Sequence, residues 1–409
     1  MQAEAVTTAP GQQAHPLQRR VAWLCGAVLF LEGYDIAAVG YAIPSLVDAW
    51  GVRPAAFTQA LTAGNVGLLL GSLAAGLLGD RLGRKPVLIS CVAVFGIFSL
   101  LTALAGSPLQ LAELRFVTGL GLGGGLPIAI ALASDFAPQM IQERFVILTT
   151  ITIPVGFTVG GFLASQLVHL VGWPAIFIVG GLLPLMLLPL LALHLPESDV
   201  MNPRAPRRNL AGALFQKGLV STTALLWTIN LLSLLAIYLV LLWTPAVLHS
   251  AGASPARAIL GTTMYALGII VSPLLTAFAV GRIRIEIVLT CGLAFGALCV
   301  LLIGLFNPPF WLLAIVLCGA GMGGGCQGGI NALLGLAYPA AIRSTGVGWG
   351  LAAGRVGTIA GPLLGGVLLA RRLEARQIFI AAAIPVFSAA LLMVWLGQVR
   401  RKVAKPGSN

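Results

Sequence analysis

Long apolar runs separated by short polar breaks cover almost the whole chain. They fall at 21–46, 56–79, 86–105, 110–134, 145–170 and 172–195, and after a polar stretch at 217–247, 256–280, 284–305, 308–335, 342–370 and 374–398. Crossing roughly 30 Å of hydrocarbon takes about 20 residues at 1.5 Å each, so every run is long enough to span a membrane as a helix. Transmembrane strands would instead show segments of about 10 residues with alternating polarity. The unbroken runs predict an all-α membrane protein with 12 transmembrane helices in two six-helix halves.

Composition agrees: 58% of the 409 residues are hydrophobic and 9% are charged, where a soluble domain carries about 25% charged residues. A net charge of +12 would suggest a nucleic-acid partner in a soluble chain, but the placement of the charges decides otherwise. With both termini cytoplasmic, most loop Lys and Arg, among them Arg19, Arg84, Lys85, Arg208 and Arg282, fall inside. Only Arg53, Arg257, Arg371, Arg372 and Arg376 fall outside, the bias expected of a polytopic protein. The expected domains are a cytoplasmic tail (1–20), a first half (21–195), a Pro-containing cytoplasmic linker (196–216), a second half (217–398) and a second tail (399–409). The first apolar run suits a retained helix better than a cleaved signal core. Six cysteines lie inside apolar runs at irregular spacing and read as small core residues.

The halves repeat one another. Gly119-Leu-Gly-Leu-Gly-Gly-Gly125 in the fourth run recurs as Gly319-Ala-Gly-Met-Gly-Gly-Gly325 in the tenth. Gly156-Phe-Thr-Val-Gly-Gly161 in the fifth matches Gly361-Pro-Leu-Leu-Gly-Gly366 in the eleventh. Glycine at such positions means close helix packing. Two matches in the same order predict halves related by a pseudo-twofold axis, a design suited to alternating access around a central site.

Ionisable residues within a span are costly and need a partner or a task. Glu32 and Asp35 are three apart and share a helix face, so both cannot ionise cheaply and the pair is a candidate proton carrier. The alternative is an ion pair with Arg115 that ties the first helix to the fourth. Arg355, between Gly354 and Gly357, offers a planar fork for a carboxylate, either an anionic substrate or a group of the other half. The bland reading is a cation held by backbone carbonyls. Trp227, Asn230 and Tyr238 in the seventh run and Gln327 and Asn331 in the tenth are expected to stack on and hydrogen-bond a flat, polar-edged ligand. Trp243 is expected to be an interface anchor instead. Asp80-Arg81-Leu-Gly83-Arg84-Lys85 forms a basic turn in which Asp80 either caps the next helix or latches the halves as a cytoplasmic gate; a solvated loop is the plain alternative.

His15, His169, His194 and His249 show no metal-ligand spacing and receive no role. No catalytic constellation, metal site or nucleotide motif is predicted, so the chain is expected not to be an enzyme, to need no cofactor beyond the proton as coupling ion, and to run on a gradient.

The residues Gly76-Leu-Leu-Gly-Asp80-Arg81-Leu-Gly83-Arg84-Lys85, with Arg115-x-x-x-Gly119 and Pro196-Glu-Ser198, resemble signatures of the major facilitator superfamily. Glu32-Gly33-Tyr34-Asp35, the stretch from Leu226-Trp227 to Trp243-Thr-Pro245, and Tyr338-Pro339 through Gly354-Arg355 resemble its aromatic acid/proton symporters, although Glu32 stands where that family usually has Asp. The resemblance implies a monomeric major facilitator fold in a bacterial inner membrane, importing an aromatic carboxylate with protons. It implies proton coupling by the first-helix acids and a functional arginine at Arg355. The other readings are a proton-driven exporter of lipophilic compounds, a symporter of heteroaromatic or non-aromatic acids, or a non-transporting receptor or membrane enzyme.

Overall fold

In the computed structural model, residues 16–137, 146, 148–197, 214–216, 219–280, 282–306, 308–339 and 342–404 are described. Among them, 12 helices or helix pairs are long and apolar enough to cross a membrane. The first half comprises α1 (Pro16–Trp50), α2 (Thr58–Leu82), α3 (Arg84–Thr102), α4 (Pro108–Phe136), α5 (Thr152–Leu170) and α6 (Pro174–His194). The second comprises α7 (Val220–Ser250), α8 (Pro255–Ala279), α9 (Ile285–Phe306), α10 (Phe310–Gly325), α11 (Gln327–Ala337), α12 (Arg343–Ala370) and α13 (Ala375–Ala404). Most of the expected linker, at 198–213, lies outside the described residues.

The tenth apolar run is two helices rather than the single one its hydropathy suggests. The ladder tightens at Cys326, whose N–H donates to the Gly323 carbonyl at 3.2 Å, three residues back. Three consecutive glycines precede the break, and glycine costs about 1 kcal/mol in a helix interior, so the chain is weakest there.

Helix packing repeats from one half to the other. In the first half α2 packs on α4, α1 on α5 and α3 on α6; in the second, α8 packs on α10, α7 on α12 and α9 on α13. The matched glycines are the reason these backbones approach so closely. A side chain on Gly119 would strike the Gly64 carbonyl, and one on Gly321, two positions further along the repeat, the Tyr265 carbonyl, so α4 and α10 use the same device with the contact shifted by two residues. Likewise Gly156 abuts the Phe30 carbonyl of α1, and Gly361 the Leu235 carbonyl of α7.

The halves meet along α1 and α7, α5 and α8, and α2 and α12. Here too the repeat is visible: Gly161 lies against Thr263 of α8 and Gly366 against Thr58 of α2. Gly40 of α1 approaches the Leu242 carbonyl of α7, with 2.9 Å between it and a built Cβ. Further along α1, Asp48 Oδ1 lies 2.9 Å from His249 Nε2, while Nδ1 of the same ring lies 2.9 Å from the Ala253 carbonyl. These seam contacts cluster toward the end of the bundle that carries the turns at Gly51, Gly172 and Gly252. A buried cluster from both halves, including Tyr41, Ile43, Leu46, Leu242 and Trp243, fills that end.

Candidate functional site

Charged groups inside the bundle are few, and the structure gives each of them distinct surroundings. Asp35 is fully buried in α1 and is held by two side chains. Arg115 of α4 donates Nη2 to Asp35 Oδ2 at 2.7 Å and to its backbone carbonyl at 3.1 Å, and Ser99 of α3 donates its hydroxyl to Oδ1 at 2.6 Å. Gly180 of α6 makes room, since a Cβ there would sit 3.1 Å from Asp35 Oδ1. The Asp35–Arg115 pair therefore ties α1 to α4, one of the two roles that the sequence allows for it. Tyr34 beside it sends its hydroxyl to the Ile176 carbonyl of α6 at 2.8 Å. Nothing in the sequence singles out Ser99, a lone hydroxyl in an apolar run.

Glu32, one turn earlier, faces elsewhere. Its Oε2 is buried without a hydrogen-bond partner among the described residues and lies 2.5 Å from where a Cβ on Gly125 would stand. The last glycine of the Gly119–Gly125 run thus makes space for a carboxylate. Across the seam, Arg355 of α12 is close enough to Glu32 to act on it electrostatically, and Tyr238 of α7 lies within the field of both. The half-buried Arg355 side chain makes no hydrogen bond or ion pair among the described residues. The structure thus leaves Glu32, Arg355 and Tyr238 within electrostatic reach of one another, while Asp35 is hydrogen-bonded to Arg115.

Arg355 is placed by close packing of α12 on α7. Gly357 abuts the Leu231 carbonyl, and a side chain at Gly354 would strike the Asn230 amide. Asn230 is fully buried; its Nδ2 donates to the Gly350 carbonyl at 2.7 Å and its Oδ1 accepts from Gln327 Nε2 at 2.5 Å. The same Gln327 nitrogen reaches Asn331 Oδ1 at 3.1 Å, leaving Gln327 Oε1 buried without a partner. Asn230, Gln327 and Asn331 therefore form one belt joining α7, α11 and α12, with Asn331 at its exposed end. Trp227 stacks on Trp349 of α12 with ring centres 6.0 Å apart and planes 14° from parallel, and takes the edge of Phe215. Its indole N–H is buried without an acceptor. In the sequence, Trp349 falls inside the stretch from Tyr338-Pro339 to Gly354-Arg355 and has no role of its own there.

Trp243 corrects the sequence expectation of an interface anchor. It is 1% exposed and donates its indole N–H to the Pro362 carbonyl of α12 at 3.0 Å, so it fastens helices inside the second half. A tryptophan near a helix end is placed at the bilayer surface only when its helix faces lipid there, and this stretch of α7 is packed on every side.

The turn between α2 and α3 is held within its own half. Gly83 has φ +94°, Lys85 N–H donates to Glu197 Oε1 at 3.2 Å, and Arg84 pairs with Asp135 at the end of α4. A Cβ on Gly83 would stand 2.9 Å from Glu197 Oε1 and push on that carboxylate, but it is the conformation that requires the glycine. Arg81 is exposed, and the Asp80 side chain lies outside the described residues. Groups of three or more His, Cys, Asp or Glu that would hold a metal are absent among the described residues.

Several known proteins are similar to this chain. The family model described as Major Facilitator Superfamily matches residues 25–251 and 226–409. A 3-(3-hydroxy-phenyl)propionate transporter of Escherichia coli is 35% identical over 94% of this chain and 94% of its own. A gallate transporter of Pseudomonas putida is 33% identical over 92% of this chain and 91% of its own, and a 4-hydroxybenzoate transporter of Pseudomonas aeruginosa 31% over 95% and 94%. In three dimensions the chain is similar to a bacterial homolog to the human lysosomal transporter Spinster in an inward-facing and occupied conformation. The TM-score is 0.76 at 15% identity, covering 97% of this chain and 100% of the other. A D-xylose-proton symporter gives a TM-score of 0.72 at 19% identity, covering 92% and 97%.

Proposed function

This chain belongs to the Major Facilitator Superfamily, and on that premise we propose that it is a proton-coupled symporter importing an aromatic carboxylate across a bacterial inner membrane. The observation that carries the reading is the charge arrangement at the seam. Among the described residues Arg355 has no hydrogen-bonded partner of its own, and within its electrostatic reach in the other half is Glu32, a buried carboxylate with an unpartnered oxygen. A guanidinium in this setting matches a carboxylate in two parallel hydrogen bonds.

The mechanism follows from that pair. With no substrate, Glu32 balances Arg355. An arriving carboxylate replaces Glu32 as the counter-ion, and Glu32 then takes a proton, because a second buried negative charge beside one cation is costly. Tyr238 and the Asn230–Gln327–Asn331 belt supply the aromatic face and polar edge for the ring. Three relatives are named for carboxylates on hydroxylated aromatic frameworks, which supports that substrate class. One proton per monoanion moves no net charge, whereas a second proton would add about 2.3 kcal/mol per 100 mV of driving force. With the termini cytoplasmic, the end closed by Gly40, Gly161, Gly366 and the Asp48–His249 contact faces outward, and the substrate leaves inward.

The test is uptake of labelled 4-hydroxybenzoate into proteoliposomes under an imposed pH gradient. Accumulation is expected when the outside is acidic, with little response to membrane voltage. Uptake indifferent to the pH gradient would refute proton symport. An exporter of lipophilic compounds predicts no accumulation of any carboxylate.

A further inference from the structure

Arg115 has five N–H donors and uses only those of Nη2, which bond Asp35; Nε and Nη1 are buried with no acceptor. Beside it lies a small cavity between α1, α2 and α4 that reaches the seam at Leu242 of α7. The cavity has room for about one water. Its lining is apolar apart from Arg115 and Asn65 of α2. Asn65 is itself buried, at 6% exposure, and its Nδ2 donates to the Leu61 carbonyl one turn back at 2.8 Å. A carbonyl only accepts, so the amide orientation is fixed and Oδ1 is left as an acceptor with no donor among the described residues. Arg115 and Asn65, each with polar atoms left unpartnered among the described residues, thus line one water-sized space.

We propose that Asn65 is a positioning residue for the proton step: through one water in this cavity, its Oδ1 takes over Arg115 when Asp35 is protonated. The inference rests on the proton-coupling reading above, and adds that Asp35 carries the proton on its way to Glu32. Neutralising Asp35 strands a buried guanidinium, which is strongly unfavourable unless other acceptors stand ready. The amide oxygen and the water supply them without a second charge. The groups facing Asp35 are few. Arg115 comes from α4, the Ser99 hydroxyl from α3 and Gly180 from α6, while Tyr34 of α1 itself turns its hydroxyl away to the Ile176 carbonyl. None of these offers Nε or Nη1 of Arg115 an acceptor.

Protonation of Asp35 is read directly, without substrate, as the infrared carboxyl band that Asp35→Asn removes, followed against pH in purified protein. Asn65→Leu fills the cavity with hydrocarbon and removes the acceptor, and its midpoint is expected about one pH unit lower than that of the natural chain, a tenfold change in proton affinity. Asn65→Ser keeps an oxygen and leaves room for water, and is expected to stay near the natural midpoint. If Asn65→Leu does not fold, the smaller Asn65→Val carries the same expectation. A midpoint unmoved by the apolar variant, or moved equally by Asn65→Ser, overturns the role of Asn65 alone. A natural chain whose Asp35 never titrates overturns proton coupling through Asp35 itself.

Discussion

The Asp35–Arg115 pair permits a test in which stability and transport are expected to separate. Both side chains are within the bundle, at 0% and 3% exposure, and 2.7 Å joins them. Replacing Arg115 by Met keeps length and removes the cation, leaving Asp35 with the Ser99 hydroxyl as its one hydrogen-bond donor. Breaking a buried pair from one side costs about 3 to 5 kcal/mol, because the remaining charge is uncompensated. That corresponds to a fall in thermal midpoint of roughly 4 to 6 °C for a chain of 409 residues. Adding Asp35→Leu removes the stranded charge, and Ser99 can then turn to the Phe177 carbonyl, 3.4 Å away. Replacing both ions by apolar groups of similar volume is often neutral or stabilising, so the double variant is expected to recover most of the lost stability. It is nevertheless expected to show no proton-driven uptake. The assay is a double-mutant cycle by thermal unfolding in detergent, with uptake measured on the same preparations. A double variant no more stable than Arg115→Met would refute the account of the pair as an isolated, mutually compensating charge couple. Proton-driven uptake surviving in it would remove Asp35 from the coupling path.

Arg355→Ala is expected to weaken binding of the best aromatic acid by 30-fold or more, corresponding to about 2 kcal/mol or above for loss of one side of a desolvated charge pair, while Arg355→Lys retains part of it. Isothermal titration on the purified variants measures this, and equal affinity in Arg355→Ala would remove the residue from the site. Gly125→Ala places a methyl group 2.5 Å from Glu32 Oε2, so the carboxylate must move. Uptake is expected to fall at least tenfold with the protein still folded, whereas Gly76→Ala, whose built Cβ meets nothing within 4 Å, is expected to leave uptake unchanged. Normal uptake by Gly125→Ala would show that the position of Glu32 is not critical.

Much of the fold is legible because lipid leaves the chain few choices: each apolar run must close its own hydrogen bonds, and helices are the way to do so. The glycine repeats also carry over, directly at Gly156 and Gly361, which each meet a facing carbonyl, and with a two-residue shift at Gly119 and Gly321. What the pattern does not reveal is direction. Glu32 and Asp35 share a helix face by spacing, yet positions three apart differ by about 60° around the axis. On α1, wedged between its own half and the other, that rotation separates a carboxylate at the seam from one inside the first half. The same limit explains Trp243 and His249. By sequence Trp243 resembles a surface anchor, but it lies in the core; His249 has no evident task, but it meets Asp48 across the halves. Asn65 is illegible for a further reason, since its meaning depends on a cavity and on which donors of Arg115 are already taken.

The break at Cys326 makes the tenth span uneven in stiffness. A continuous helix resists bending through its unbroken ladder, and a short stretch of three-residue bonding next to glycines is where it yields. On one side of the break, α10 is locked to α8 by Gly321 and Gly325; on the other, α11 carries Gln327 and Asn331. A tug on those amides can therefore tilt α11 while α10 stays put, so the second half need not move as one rigid body.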